Sequence, residues 1–64
     1  SIAEGIEAIK LNPQFSTAYI YLCRSYLKLG NKKKAVEFAK QGQEYASLSE
    51  KEELDVLIQQ AQDL

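Results

Sequence analysis

The chain has no histidine, no methionine and no tryptophan, and it holds a single cysteine, a single proline and three glycines. With Cys23 alone and no imidazole to help it, an internal disulfide and a cysteine-rich metal site are both excluded. The lone thiol favours a reducing, cytoplasmic setting. No apolar run approaches the roughly 20 residues that a membrane span requires, and no basic-then-apolar leader precedes the first helical pattern, so the chain reads as soluble, with no membrane partner. A glycine-rich phosphate loop, a nucleophile motif and a pair of carboxylates set opposite each other on an apolar face are all missing as well. These absences argue against an enzyme and leave no cofactor to expect. The lack of methionine, with Ser1 standing in what reads as helical sequence, suggests a segment of a longer protein.

What is present points to a folded chain. Of its 64 residues 45% are hydrophobic and 27% charged, proportions that speak against intrinsic disorder. This length makes one small domain, or part of a larger one, near the size at which a single core is barely sufficient. A net charge of −1 by itself implies no nucleic-acid partner.

Punctuation divides the chain into four helices with no strand, an all-α fold. Ile2, Ile6 and Ile9 recur at helical spacing up to Leu11, where Asn12-Pro13 stops the helix because proline disfavours a helical residue before it. A second helix is predicted over Thr17 to Leu29, capped by Ser16 and closed by Gly30. Asn31 caps the third, Lys32 to about Ala46, whose inward residues are Ala35, Val36, Phe38, Ala39, Gly42 and Tyr45. Ser49 with Glu52 three residues on makes a capping box, which starts the fourth helix at Glu50 and carries it to about Asp63. Connections this short force neighbouring helices to lie antiparallel.

The spacing of Ala18-Tyr19, Leu22, Cys23, Tyr26, Gly30, Ala35, Ala39 and Gly42 resembles that of the tetratricopeptide repeat, a helix-turn-helix unit of about 34 residues. Tyr19 stands where that family most often has tryptophan. Shifted by the family's repeat length, Ile2 falls on Val36, Gly5 on Ala39, Ala8 on Gly42 and Leu11 on Tyr45, and Asn12-Pro13 takes the place of the repeat-ending proline. The resemblance implies a solenoid fragment: residues 1–13 as the second helix of one repeat, 14–48 as a complete repeat, and 49–64 as a C-terminal capping helix. Its departures are Ala39 and Gly5 at an aromatic position, Gly42 for the usual alanine, and Ser47 for the terminal proline. In repeat register the last helix would bury Glu52, Glu53 and Gln60, so its apolar face is read instead as Leu54, Leu57, Ile58, Ala61 and Leu64.

In that family the first helix of each repeat lines a concave groove that holds a segment of another protein. The matching positions here are Thr17, Ile20, Tyr21, Arg24, Leu27 and Lys28, opposite a core side made of Ala18, Tyr19, Leu22, Cys23, Tyr26 and Leu29. Tyr21 offers stacking or a hydrogen bond, and Arg24 and Lys28 could meet carboxylates. The alternative is that the two cations are simply solvated, their stems lying over Ile20 and Leu27. A chaperone-type carboxylate clamp is not supported, because Tyr21 and Arg24 occupy the sites where clamp members place asparagine and lysine.

Two further features bear on partners. Lys32, Lys33 and Lys34 crowd the first turn of a helix against its dipole and read as a solvated turn, then as a patch for an acidic partner, and last as a nucleic-acid contact. Ile2, Ile6 and Ile9 would be partly uncovered without a neighbouring helix, an edge suited to self-association. Cys23, in the small-residue position between the repeat's helices, reads as buried and inert.

Overall fold

Proline and glycine set the chain reversals, and the backbone follows them. The computed structural model of the chain describes residues 1–64 as four helices: α1 Ile2–Leu11, α2 Ser16–Lys28, α3 Lys32–Gln43 and α4 Leu48–Gln62. The fold is all-α, built of antiparallel helical hairpins. Asn12, ahead of Pro13, is extended at φ −141° and ψ 91°, and its side chain accepts a bond from Gln14 N at 3.2 Å to turn the chain. At the far end of α2, Gly30 takes φ 71°, while Gly30 N bonds Leu27 O at 3.0 Å and Asn31 N bonds Tyr26 O at 2.9 Å. That pair of bonds is a Schellman closure, open to glycine because it has no Cβ to clash at positive φ. Asn31 Oδ1 then accepts from Lys34 N at 3.1 Å, capping α3 as its residue type predicts.

Three helix ends differ from the sequence expectation through specific local contacts, and α2 also ends one residue early, at Lys28. Ser16 lies inside α2 rather than capping it; Phe15 holds the cap position without a side-chain bond, and the Ser16 hydroxyl donates to Glu50 Oε1 at 2.9 Å. Helix α3 stops at Gln43, short of Ala46, because Glu44 and Tyr45 bond only three residues back and the tightened turn lets the Tyr45 ring stack on Tyr19 at 6.1 Å. The capping box of α4 is made by Ser47 and Glu50, not Ser49 and Glu52, so the helix begins at Leu48. Both serine–glutamate pairs satisfy the pattern, but only Glu50 also reaches Ser16.

Core packing follows from small residues on α3. Ala35 and Ala39 are fully buried, and a Cβ placed on Gly42 would sit 2.7 Å from Tyr19 Cβ, so α2 lies close against this stripe. Around it, Ile20, Cys23, Leu54, Leu57 and Ala61 complete one cluster, while Leu22 is buried beneath Gly5 of α1. Burying a leucine or isoleucine of this kind contributes about 1.5–3 kcal/mol. Tyr26 and Phe38 stack at 5.7 Å with planes 8° apart and shield one edge of the α2–α3 seam; the Tyr19–Tyr45 pair shields the other. No buried side-chain nitrogen or oxygen lacks a partner, and the Tyr19 hydroxyl donates to Pro13 O at 2.7 Å. Leu29, expected in the core, is 68% exposed because α2 ends one residue earlier and the chain turns there toward Gly30. Leu64, beyond the end of α4, is exposed too.

One spacing runs through these contacts. The Ser16–Glu50 bond joins residues 34 apart, and the buried pairs Ile20 and Leu54, and Cys23 and Leu57, keep that same interval. Gly5 and Ala39, both buried, keep it on α1 and α3.

Candidate functional site

Helix α2 touches all three other helices, which accounts for its excess of apolar residues. Tyr19, Cys23 and Tyr26 turn to α3, and Leu22 turns to α1. A third side, carrying Ile20 and Leu27, was expected to lie open. Instead Ile20 is only 8% exposed and belongs to the core cluster with Leu54, Leu57 and Ala61, and Leu27 packs against the same cluster. The cause is α4, which lies along this side and covers the two aliphatic residues.

The polar members of the stripe have separate fates. Arg24 pairs with Glu53 across the α2–α4 seam, both side chains remaining well solvated, a contact worth at most about 1 kcal/mol. Lys28 is exposed in the last turn of α2, where its charge suits the helix dipole. Thr17 is exposed and Tyr21 is 42% exposed, and these two line a cleft between α1 and α2.

That cleft has a volume of about 380 Å³. Its floor is Gly5, Ala8 and Ala18, its walls are Phe15, Thr17 and Tyr21, and Ser1 and Glu4 stand at its rim. Small residues one helical turn apart on α1 leave the hollow, and the rings of Phe15 and Tyr21 give it apolar surface. The hydroxyls of Thr17 and Tyr21 supply donors and acceptors, so the cleft can hold an apolar side chain while bonding the segment that carries it. Sequence reasoning found Thr17 and Tyr21 but missed Gly5, Ala8 and Phe15. The signal available for these was two small residues at i, i+3 on α1 next to an aromatic before α2.

A second cleft, about 540 Å³, lies between α3 and the end of α4 and is lined by Lys32, Lys33, Val36, Glu37, Lys40 and Gln62. Lys34, the third residue of the lysine run, turns away and stands 3.8 Å from Glu37 Oε1. Sequence reasoning joined Lys40 to the run only as part of a basic middle of the chain with Arg24 and Lys28, and left Val36 out, although the i, i+4, i+8 spacing of Lys32, Val36 and Lys40 puts all three along one strip of the helix.

At the cleft rim the Glu4 carboxyl is held low by the Ser1 amine, and further groups are shifted by structural contacts. Burial pushes the Cys23 thiol up, against a smaller opposing pull from the Arg24 charge, which keeps it protonated and unreactive. The Glu50 carboxyl is held below its ordinary value of 4.5, first by the Ser47 backbone N–H and then by the Ser16 hydroxyl. No three His, Cys, Asp or Glu side chains come together to hold a metal ion, and no helix is long and apolar enough to cross a membrane. No protein-family model, no curated protein and no solved structure matches the chain.

Proposed function

We propose that the chain is a tetratricopeptide-type module that holds a segment of another protein by non-covalent contacts, without catalysis. Support for the repeat comes from the 34-residue interval linking Ser16 with Glu50, the length of one such unit. The small-residue stripe of Ala35, Ala39 and Gly42 supports it as well. The observation that carries the binding role is the α1–α2 cleft, where Thr17 and Tyr21 stand over Gly5 and Ala8. An apolar side chain of the partner enters between the Phe15 and Tyr21 rings, and the hydroxyls bond the flanking polypeptide.

Peptides selected from a random display library on the immobilised chain test this reading. Tyr21→Ala and Ala8→Arg, the second filling the cleft, should each weaken the selected peptides about tenfold. If both variants bind those peptides as well as the parent does, the cleft is not the site.

Self-association is a second reading, favoured by a specific observation. Leu11 is 79% exposed, and Ile2, Ile6 and Ile9 on α1 are only half-buried. Two copies meeting on α1 would cover these side chains. Light scattering that shows a monomer across the concentration range would remove this alternative.

A further inference from the structure

The cleft between α3 and α4 carries a net positive charge around an apolar floor. Lys32, Lys33 and Lys40 outnumber its one carboxylate, Glu37, which already lies near Lys34. Val36 forms the floor, half-buried with its inner side packed against the core cluster, and the Gln62 amide closes the α4 side.

Spacing along α3 selects what fits. Lys32, Val36 and Lys40 stand four residues apart, so each step advances about 6 Å along the helix. In an extended peptide, alternate side chains on one face are about 6.6 Å apart. A segment with the pattern acidic, any, apolar, any, acidic therefore sets its apolar side chain on Val36 while its two carboxylates reach Lys32 and Lys40. The helix drifts by about 40° at each step, and the flexible lysine stems take up that rotation.

We propose that this cleft is a second docking site, distinct from the α1–α2 cleft, for an extended acidic segment of a partner protein with one apolar residue midway between two carboxylates. The inference does not rest on the repeat assignment, since it uses only the α3 strip and its charge. Lys33 adds attraction at the Lys32 end, and the Gln62 amide is placed to bond the peptide backbone.

Fluorescence polarisation on the full chain, with a labelled peptide containing Glu-Thr-Leu-Thr-Glu as the probe, tests the proposal. Saturable binding that weakens with added salt is expected. Lys32→Glu and Lys40→Glu should each weaken it about tenfold, and changing the peptide's leucine to serine should weaken it about fivefold. Loss of folding does not account for such a result, because both lysines are exposed and an acidic residue at position 32 suits the helix N-terminus. Lys51→Glu on α4 and Ala8→Arg in the other cleft should leave the affinity unchanged, which separates failure here from failure of the α1–α2 site. The proposal is overturned if the probe does not saturate, if the lysine variants bind it equally, or if a peptide with its acidic residues at helical spacing binds better. It is overturned as well if the serine-substituted peptide and a single-stranded oligonucleotide bind as tightly as the probe, which would make the strip a general polyanion surface.

Discussion

Gly42 permits a close approach of two helices in the core, and its replacement shows how space and helix propensity compete. Alanine would gain about 1 kcal/mol in helix propensity, but its Cβ would lie 2.7 Å from Tyr19 Cβ, an atom that cannot move unless α2 moves with it. Overpacking of this kind costs about 1–3 kcal/mol, so Gly42→Ala should lower stability by about 1 kcal/mol net, read from the urea midpoint. Gly5→Ala is the matched control. Its neighbours are the terminal Leu22 Cδ2, also at 2.7 Å, then Leu22 Cγ at 3.0 Å and Tyr21 Cδ2 at 3.1 Å, side-chain atoms that can give without moving a helix. That variant should lose less stability than Gly42→Ala, and equal losses for the two glycines would refute the steric account. Residue-scale features of this sort were partly legible in advance. The inward positions of Tyr19, Cys23, Ala35 and Ala39 follow from helical spacing together with the resemblance to the repeat, whereas Ile20 sits on the side that this reading leaves open until α4 arrives.

At the level of elements, the start of α4 concentrates several bonds in one carboxylate. Glu50 Oε1 accepts the Ser47 N–H at 2.8 Å and the Ser16 hydroxyl at 2.9 Å, while Ser47 Oγ accepts from Glu50 N at 3.3 Å. Ser47→Ala should cost about 1 kcal/mol, whereas Ser49→Ala should cost little. Because the folded-state pKa of Glu50 is depressed, its contribution is present above the unfolded value of 4.5 and is lost as pH falls through the lower folded value. The melting-temperature difference between the parent and Glu50→Gln should thus be constant near neutrality and shrink below about pH 4. A difference that persists unchanged into acid would show that the charge plays no part. Helix existence was readable from hydrophobic spacing, and the Gly30 and Asn31 signals placed their boundaries well. The choice between Ser47 and Ser49 was not readable, since it depends on a partner in another helix, and the same contact takes Ser16 away from its expected capping role.

For the whole molecule, the distribution of contacts sets where it opens. The Cα envelope measures 31 × 26 × 13 Å, a slab in which α2 touches every other helix and α1 touches α2 alone. Amide hydrogen exchange should be slowest in α2 and the adjoining part of α3, and fastest among the helices in α1. Exchange in α1 as slow as in α2 would mean that the helices open only together. The α1–α2 cleft would then be fixed in shape rather than adjustable to its occupant.

The 34-residue interval between α2 and α4 has a consequence for lengthening the chain. Under the proposed repeat reading this interval is a unit of translation, so a copy of residues 14–47 spliced in after position 47 would set its own α2 against α3 as the original α2 is set against α1. In the longer chain the incoming Ser16 would stand where Glu50 stood and the incoming Ile20 where Leu54 stood, each against the helix that precedes it. Stability in such an array grows as a sum of units and the interfaces between them. The guanidinium midpoint should therefore rise with the first inserted copy and rise by less with the second.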